Sequence, residues 1–169
     1  MCLRNVFACL YYLPTECSIP NENIPGLKHE LPNEFIREND HFYYLWACNV
    51  AWMGESIHCA PKAQLDDGFC DLIKMKNSAG KCNLMMQLFN QDSGDYYTSE
   101  GNLKPNSGLE YIKTKCWRLI PKNNLSENDD VSIDRNLPRF FSIDGERYPI
   151  EPIQIKTLRK SLKIFCLSV

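Results

Sequence analysis

Two short acidic turns are where this sequence places residues whose types and spacing could support chemistry. The later one lies in FFSIDGERYP, Phe140 to Pro149, where Asp144 and Glu146 stand on either side of Gly145. Asp-Gly is a strong hairpin signal, because a type I′ turn needs positive φ at both central residues. A turn alone has no use for a second acid straight after the glycine. The earlier one, QLDDGFCD, puts Asp66 and Asp67 side by side ahead of Gly68. Glycine lets a ligand approach the backbone closely, and one or two carboxylates with phosphate oxygens suit a magnesium ion. The residues alone are compatible with plain turns, or with sites for a magnesium-bound phosphate or a sugar hydroxyl.

Other chemistries are not encoded. There is no G-x-x-x-x-G-K-[ST] phosphate loop, no G-x-G-x-x-G turn and no G-x-S-x-G elbow, and the eight glycines are unclustered. With a net charge of −2 and no base-reading motif, nucleic acid is not an expected partner. The late basic cluster Lys156, Arg159, Lys160 and Lys163 reads as a solvated edge or as a contact for anionic head groups. Nine cysteines are scattered without a C-x-x-C pair, and His29, His41 and His58 do not complete a zinc site. Several cysteines lie in apolar runs, where a thiol behaves as a small hydrophobe; reduced thiols in a cytosolic protein are expected. No run approaches the roughly 20 apolar residues of a membrane span. The opening MCLRNVFACLYYLP lacks the small-x-small cleavage site of a secretory leader.

The elements that must position the two turns read as follows. Leu3, Val6, Phe7, Leu10 and Tyr11 fall at helical spacing, which predicts a short helix. Residues 14–40, rich in Pro, Asn and Glu, form an exposed loop. HFYYLWACNVAWMG, 41–54, is a central strand buried on both faces, and FCDLIKMK, 69–76, is another strand. SAGKCNLMMQLFNQ is an internal helix with Leu84, Met85, Leu88 and Phe89 on one face and Ser78 as N-cap. LEYIKTKCWRLIP, 109–121, is one long strand, with Ile112, Cys116 and Ile120 on one face and Tyr111, Trp117 and Leu119 on the other. An acidic loop insert spans 122–136, and SLKIFCLSV closes the chain as a strand. One domain over 1–169 is expected: mainly β, an antiparallel β-sandwich with one or two short helices.

The order of these pieces resembles the C-terminal, lipid-binding domain of the diacylglycerol kinase-like lipid kinases, sphingosine kinases above all. AQLDDGFCDLI is similar to that family's A-P-x-A-x-x-D-D-G-x-x-D-L stretch, and YIKTKCWRLIP to its Y-x-x-V-K-A-x-R-L-x-P strand. NLMMQLF and SIDGE follow in family order. The resemblance spans most of the chain, incomplete at its N-terminal side. It implies an ATP-dependent lipid kinase acting on a sphingoid base or a related lipid hydroxyl, with ATP and Mg²⁺ as cofactors.

The same resemblance implies residue roles. Asp144, Gly145 and Glu146 would reach back to the nucleotide, with Glu146 a possible catalytic base. Met85, Leu88 and Phe89 would line the acyl pocket, although plain core packing suits them as well. Asp67, with Asp66, would match a magnesium site of bacterial members. The family's nucleotide domain, with its G-G-D-G-T loop, is not in this sequence and would be a partner in cis. Without a phosphate cradle, positioning of the γ-phosphate has no physical means, so the 169 residues alone are expected to be inactive. The alternative is a catalytically dead, stand-alone lipid-binding or regulatory β domain. In either case the lipid implies a cytoplasmic protein that meets membranes peripherally.

Overall fold

A computed structural model describes residues 2–17, 19, 23–55, 57–90, 97–105, 107–122 and 140–159. The expected last strand, Lys160 and Lys163, and the insert from 123 onward lie outside these residues. Among the described residues, eight strands form one antiparallel sheet: β1 (Cys2–Tyr12), β2 (Ile36–Cys48), β3 (Cys70–Lys76), β4 (Leu109–Thr114), β5 (Cys116–Pro121), β6 (Phe140–Ile143), β7 (Glu146–Pro149) and β8 (Ile153–Lys156). The spatial order is β4-β3-β2-β1-β5-β8, with the β6–β7 hairpin joined to the start of β1 where Cys2 pairs with Ser142. The protein is mainly antiparallel β and sandwich-like, as the sequence led one to expect.

The first element corrects that expectation. Residues 2–12 form a strand, not a helix, paired with β2 from Cys2↔Trp46 to Tyr12↔Ile36 and with β5 from Ala8↔Pro121 to Tyr12↔Trp117. Ala8, Cys9 and Leu10 are all buried. A strand covered on both faces carries no period of two, so its apolar residues can mimic a helical stripe by chance. β2 begins at Ile36, inside the stretch expected to be loop. Within the remaining connection Ile24 and Phe35 are buried, and with Leu13 and Cys116 they form a small satellite core.

The 109–121 strand breaks at Lys115 into β4 and β5, which sit on opposite sides of the sheet path. The break also inverts the side-chain pattern. Ile112 of β4 packs on the same core as Trp117 and Leu119 of β5, whereas unbroken alternation would put them on opposite faces. Thr114 fixes the kink: its single hydroxyl proton is shared between the Leu13 and Cys116 carbonyl oxygens, 2.8 and 2.7 Å away, and its oxygen accepts from the Cys116 N–H at 3.3 Å. Because one residue joins β4, at one end of the path, to β5, beside β8 at the other, the sheet curls over an inner core of Ala8, Leu10, Phe42, Leu45, Leu72, Trp117, Leu119 and Phe141. A second core, including Trp46, Ile73, Met75 and Leu109, lies on the outer face of β2, β3 and β4. Leu84 of the helix α1 (Lys81–Phe89) packs against it.

Candidate functional site

The Asp144–Glu146 turn is built as its residues require. Asp144 has φ 50° and Gly145 φ 88°, the paired positive values of a type I′ turn, and β6 and β7 pair from Ile143↔Glu146 to Phe140↔Pro149. Asp144, Gly145, Glu146 and Arg147 are all exposed. Arg147 does not neutralise Glu146; its guanidinium lies over the Phe140 ring, 4.6 Å from the centroid. Glu146 instead accepts the Tyr148 hydroxyl at 2.7 Å, which raises the Tyr148 pKa because the phenolate would face that carboxylate. Neither Asp144 nor Glu146 has an ion pair among the described residues. Two carboxylates stand in solvent on a short, conformationally fixed loop.

The Asp66–Gly68 turn is differently engaged. Asp67 accepts the Phe69 N–H at 2.9 Å through one oxygen and the Lys113 ammonium at 2.5 Å through the other. Lys113 also reaches Asp71, 3.4 Å away, while the Tyr111 hydroxyl donates to Asp71 at 2.6 Å. Asp71 is fully buried, and that desolvation raises its pKa in spite of Tyr111 and Lys113. The turn is locked from outside: Arg159 donates to the Asp66 carbonyl at 3.1 Å, and a Cβ on Gly68 would meet the Arg159 Cβ at 2.9 Å. An ammonium group thus already stands where a cation would bridge Asp67 and Asp71. A magnesium ion does not fit there unless Lys113 leaves. No cluster of three or more His, Cys, Asp or Glu able to hold a metal occurs among the described residues.

Register relates the two turns. Ser142 pairs with Cys2, Cys2 with Trp46 and Trp46 with Ile73. Asp144 lies two residues beyond that row on its strand, and Asp71 two residues beyond it in the same direction. With strands about 4.8 Å apart, three spacings separate them by roughly 15 Å.

The helix turns its polar side inward. A 3-10 turn, Asn77–Ala79, precedes it, and Gly80 at φ 85° occupies the N-cap, so Ser78 does not cap α1. Leu84 is partly buried, but the fully buried residue is Gln87, whose side-chain N–H donates to the Ser107 carbonyl at 2.9 Å. Met85, Met86, Leu88 and Phe89 face solvent, Phe89 with 75% of its surface accessible. The three residues expected to line an acyl pocket therefore form an open apolar surface here, without an opposite wall among the described residues.

Composition hides one further cluster. Lys74, fully buried, pairs with Glu38 and, at 2.9 Å, with Glu110. Lys76 lies 3.1 Å from Glu110, and the Tyr12 hydroxyl donates to Glu38 at 2.9 Å. Burial pushes the Glu110 carboxyl up, but its bonds to Lys74 and Lys76 outweigh this and hold its pKa below the ordinary value. The cluster is a compensated polar plug between β2, β3 and β4. The Lys113–Asp71 contact is equally invisible in the sequence. Tyr111 and Lys113 stand two apart on one strand face, so period two joins them; their partner on β3 follows only from the register Asp71↔Lys113.

Comparison with known proteins finds sequence similarity to sphingosine and sphingoid-base kinases. The chain is 27% identical over 154 residues to sphingosine kinase 1 of Arabidopsis thaliana, 79% of this chain and 30% of that protein. It is 33% identical over 92 residues to sphingosine kinase 2 of the same plant, 54% of this chain and 18% of the relative. With sphingoid long chain base kinase 4 of Schizosaccharomyces pombe the identity is 26% over 100 residues, 59% of this chain and 18% of that protein. No protein-family model matches. The chain is thus related in sequence to sphingosine kinases, and spans less than a third of the length of these relatives.

Proposed function

We propose that this chain is the C-terminal, lipid-binding part of an ATP-dependent kinase that phosphorylates a sphingoid base. The observation that carries the reading is the Asp144-Gly145-Glu146 hairpin, two unpaired carboxylates on a rigid turn, in a chain related to sphingosine kinases. The turn would meet the nucleotide, which binds with magnesium to an N-terminal domain of the same polypeptide. Phosphoryl transfer rests on positioning and on stabilisation of charge around the γ-phosphate. A fixed loop with solvent-facing acids supplies position; Glu146, oriented by Tyr148, is the group able to take a hydroxyl proton or a metal contact. The open face of α1, through Met85, Leu88 and Phe89, would supply one wall of an acyl channel, with unbranched Met adapting to a flexible chain. Such a kinase works at the membrane surface, where its substrate resides.

The test is transfer of the γ-phosphate of ATP to sphingosine by the complete polypeptide purified from its source, with and without Glu146→Ala. Glu146 is exposed, so the substitution should change stability by less than about 0.5 kcal/mol, and an activity loss of tenfold or more is then functional. Unchanged activity would remove the hairpin from the site. Saturable sphingosine binding without any phosphate transfer would favour the catalytically dead lipid-binding reading.

A further inference from the structure

About 30 Å along β1 from the Cys2–Ser142 junction, by the rise of nine strand residues, lies a half-open cavity of about 470 Å³. It is formed where Tyr11 pairs with Arg37 of β2 on one side and Arg118 of β5 on the other, beneath the loop that carries Lys28 to Phe35. The wall contains three cationic side chains, Lys28, Arg37 and Arg118, against one carboxylate, Glu30.

Arg118 is the anomaly. Only 4% of it is exposed, and its bonds all go to neutral oxygens: Gln154 Oε1 at 2.7 Å, the His29 carbonyl at 2.7 Å and the Gly26 carbonyl at 3.0 Å. Buried charges are ordinarily paired with opposite charge, yet Arg118 has no carboxylate partner among the described residues. A guanidinium carries five N–H donors, so the three bonds leave two N–H groups unspent. Arg37 stands exposed at the rim: its Nε donates to Cys9 Sγ at 3.2 Å and its guanidinium carbon lies 5.7 Å from the centroid of the Tyr11 ring, which leaves the rest of the group open to a ligand.

We propose that this cavity is a binding site for a phosphate ester with a polar, ring-sized body, either a free phosphoester or the head group of a phospholipid. Guanidinium groups match phosphate oxygens in a bidentate fork, and Arg37 and Arg118 would approach the phosphate from two strands, with Lys28 closing from the loop. The cavity exceeds a bare phosphate and falls in the size range of small-molecule sites. Tyr11, Leu31 and Ile120 give the body of the ligand apolar surface to lie on. The site stands independently of the kinase reading.

The experiment is calorimetric titration of the purified chain with an inositol bisphosphate, with inositol alone as control. Pelleting with phosphatidylcholine vesicles, with or without a phosphatidylinositol phosphate, is done in parallel. Saturable binding of the bisphosphate but not of inositol is expected. Arg37→Ala should weaken it about tenfold and Lys28→Ala by a smaller factor, while Glu30→Gln tightens it and Glu146→Ala leaves it unchanged. Pelleting that the soluble bisphosphate competes away assigns the site to a membrane lipid; soluble binding without pelleting assigns it to a free phosphoester. Both outcomes uphold the proposal. No binding of either probe overturns it, as does binding indifferent to Arg37→Ala and Lys28→Ala. Neither variant touches the bonds by which Arg118 holds Gly26 and His29, so loss of fold does not obscure the result.

Discussion

Lys113 holds two carboxylates at once, and removing it strands both. Breaking a buried ion pair from one side costs roughly 3–5 kcal/mol, and partial exposure of Lys113 and Asp67 lowers that figure. Lys113→Met is therefore expected to destabilise by about 2 kcal/mol in urea unfolding, with part of the loss regained in Lys113→Met/Asp71→Asn. The carboxyls also set an acid response. Glu110 is held below its ordinary value of 4.5, so its contribution is present above that value and is lost as pH falls through its lower folded value. Asp71 is raised above 3.8 and works in the opposite sense, costing stability once ionised. Glu110→Gln should flatten the fall of the urea midpoint below pH 4.5; a slope unchanged from the parent would show that Glu110 is not its source. Among the cysteines, burial pushes Cys70 and Cys116 up to about 11, leaving both as thiols near neutrality, while Cys82 is exposed on α1. Mapping by mass spectrometry after brief alkylation should find Cys82 labelled well ahead of Cys70 and Cys116.

At the scale of elements, the sequence revealed strand identity better than strand partnership. HFYYLWACNV and FCDLIKMK were legible as strands because aromatic and β-branched residues fill both faces of a covered sheet. The same double burial, seen at Ala8, Cys9 and Leu10, hides the period of two, and Cys2–Tyr12 read as a helix. The Asp-Gly signal gave the Asp144–Gly145 turn directly, since few backbone conformations admit it. The kink at Lys115 left no such mark; a lysine between Thr114 and Cys116 looks like a solvent-facing residue of an ordinary strand. Its consequence is testable by deletion. Removing Lys115 would leave Ile112, Trp117 and Leu119 on one face of an unbroken strand but take away the corner by which the chain passes from pairing with β3 to pairing with β1, so ΔLys115 should lack the near-ultraviolet circular dichroism of packed aromatics. Gly145→Val places a β-branched residue at positive φ, costing roughly 1–2 kcal/mol. That cost should appear as faster amide exchange in β6 and β7, with little change at β2 and β3.

Over the whole molecule, three of the four apolar residues that the sequence assigned to one helix face, Met85, Leu88 and Phe89, face outward, and Leu84 packs inward. Periodicity identifies a stripe without saying what it meets; the inward choice fell to Leu84 and Gln87. No helix among the described residues is long and apolar enough to cross a membrane. A cluster of four large exposed apolar side chains on nine helical residues predicts binding of detergent or self-association. Light scattering should show association that rises with concentration and falls in Met86→Glu/Phe89→Lys.

The one-residue join between β4 and β5 also sets an order of events for a chain emerging from the ribosome. Leu13 bonds to Thr114, 101 residues later in the sequence, so one edge of β1 has no native partner until about a hundred further residues have been made. Contacts this distant slow folding, because the closure entropy of the intervening chain comes before any return. During that interval β1 presents an open, apolar edge, the kind of surface on which chaperones act and from which aggregates grow. Synthesis rate and chaperone supply, as much as the contacts of the finished sheet, should therefore govern how much soluble protein a cell recovers.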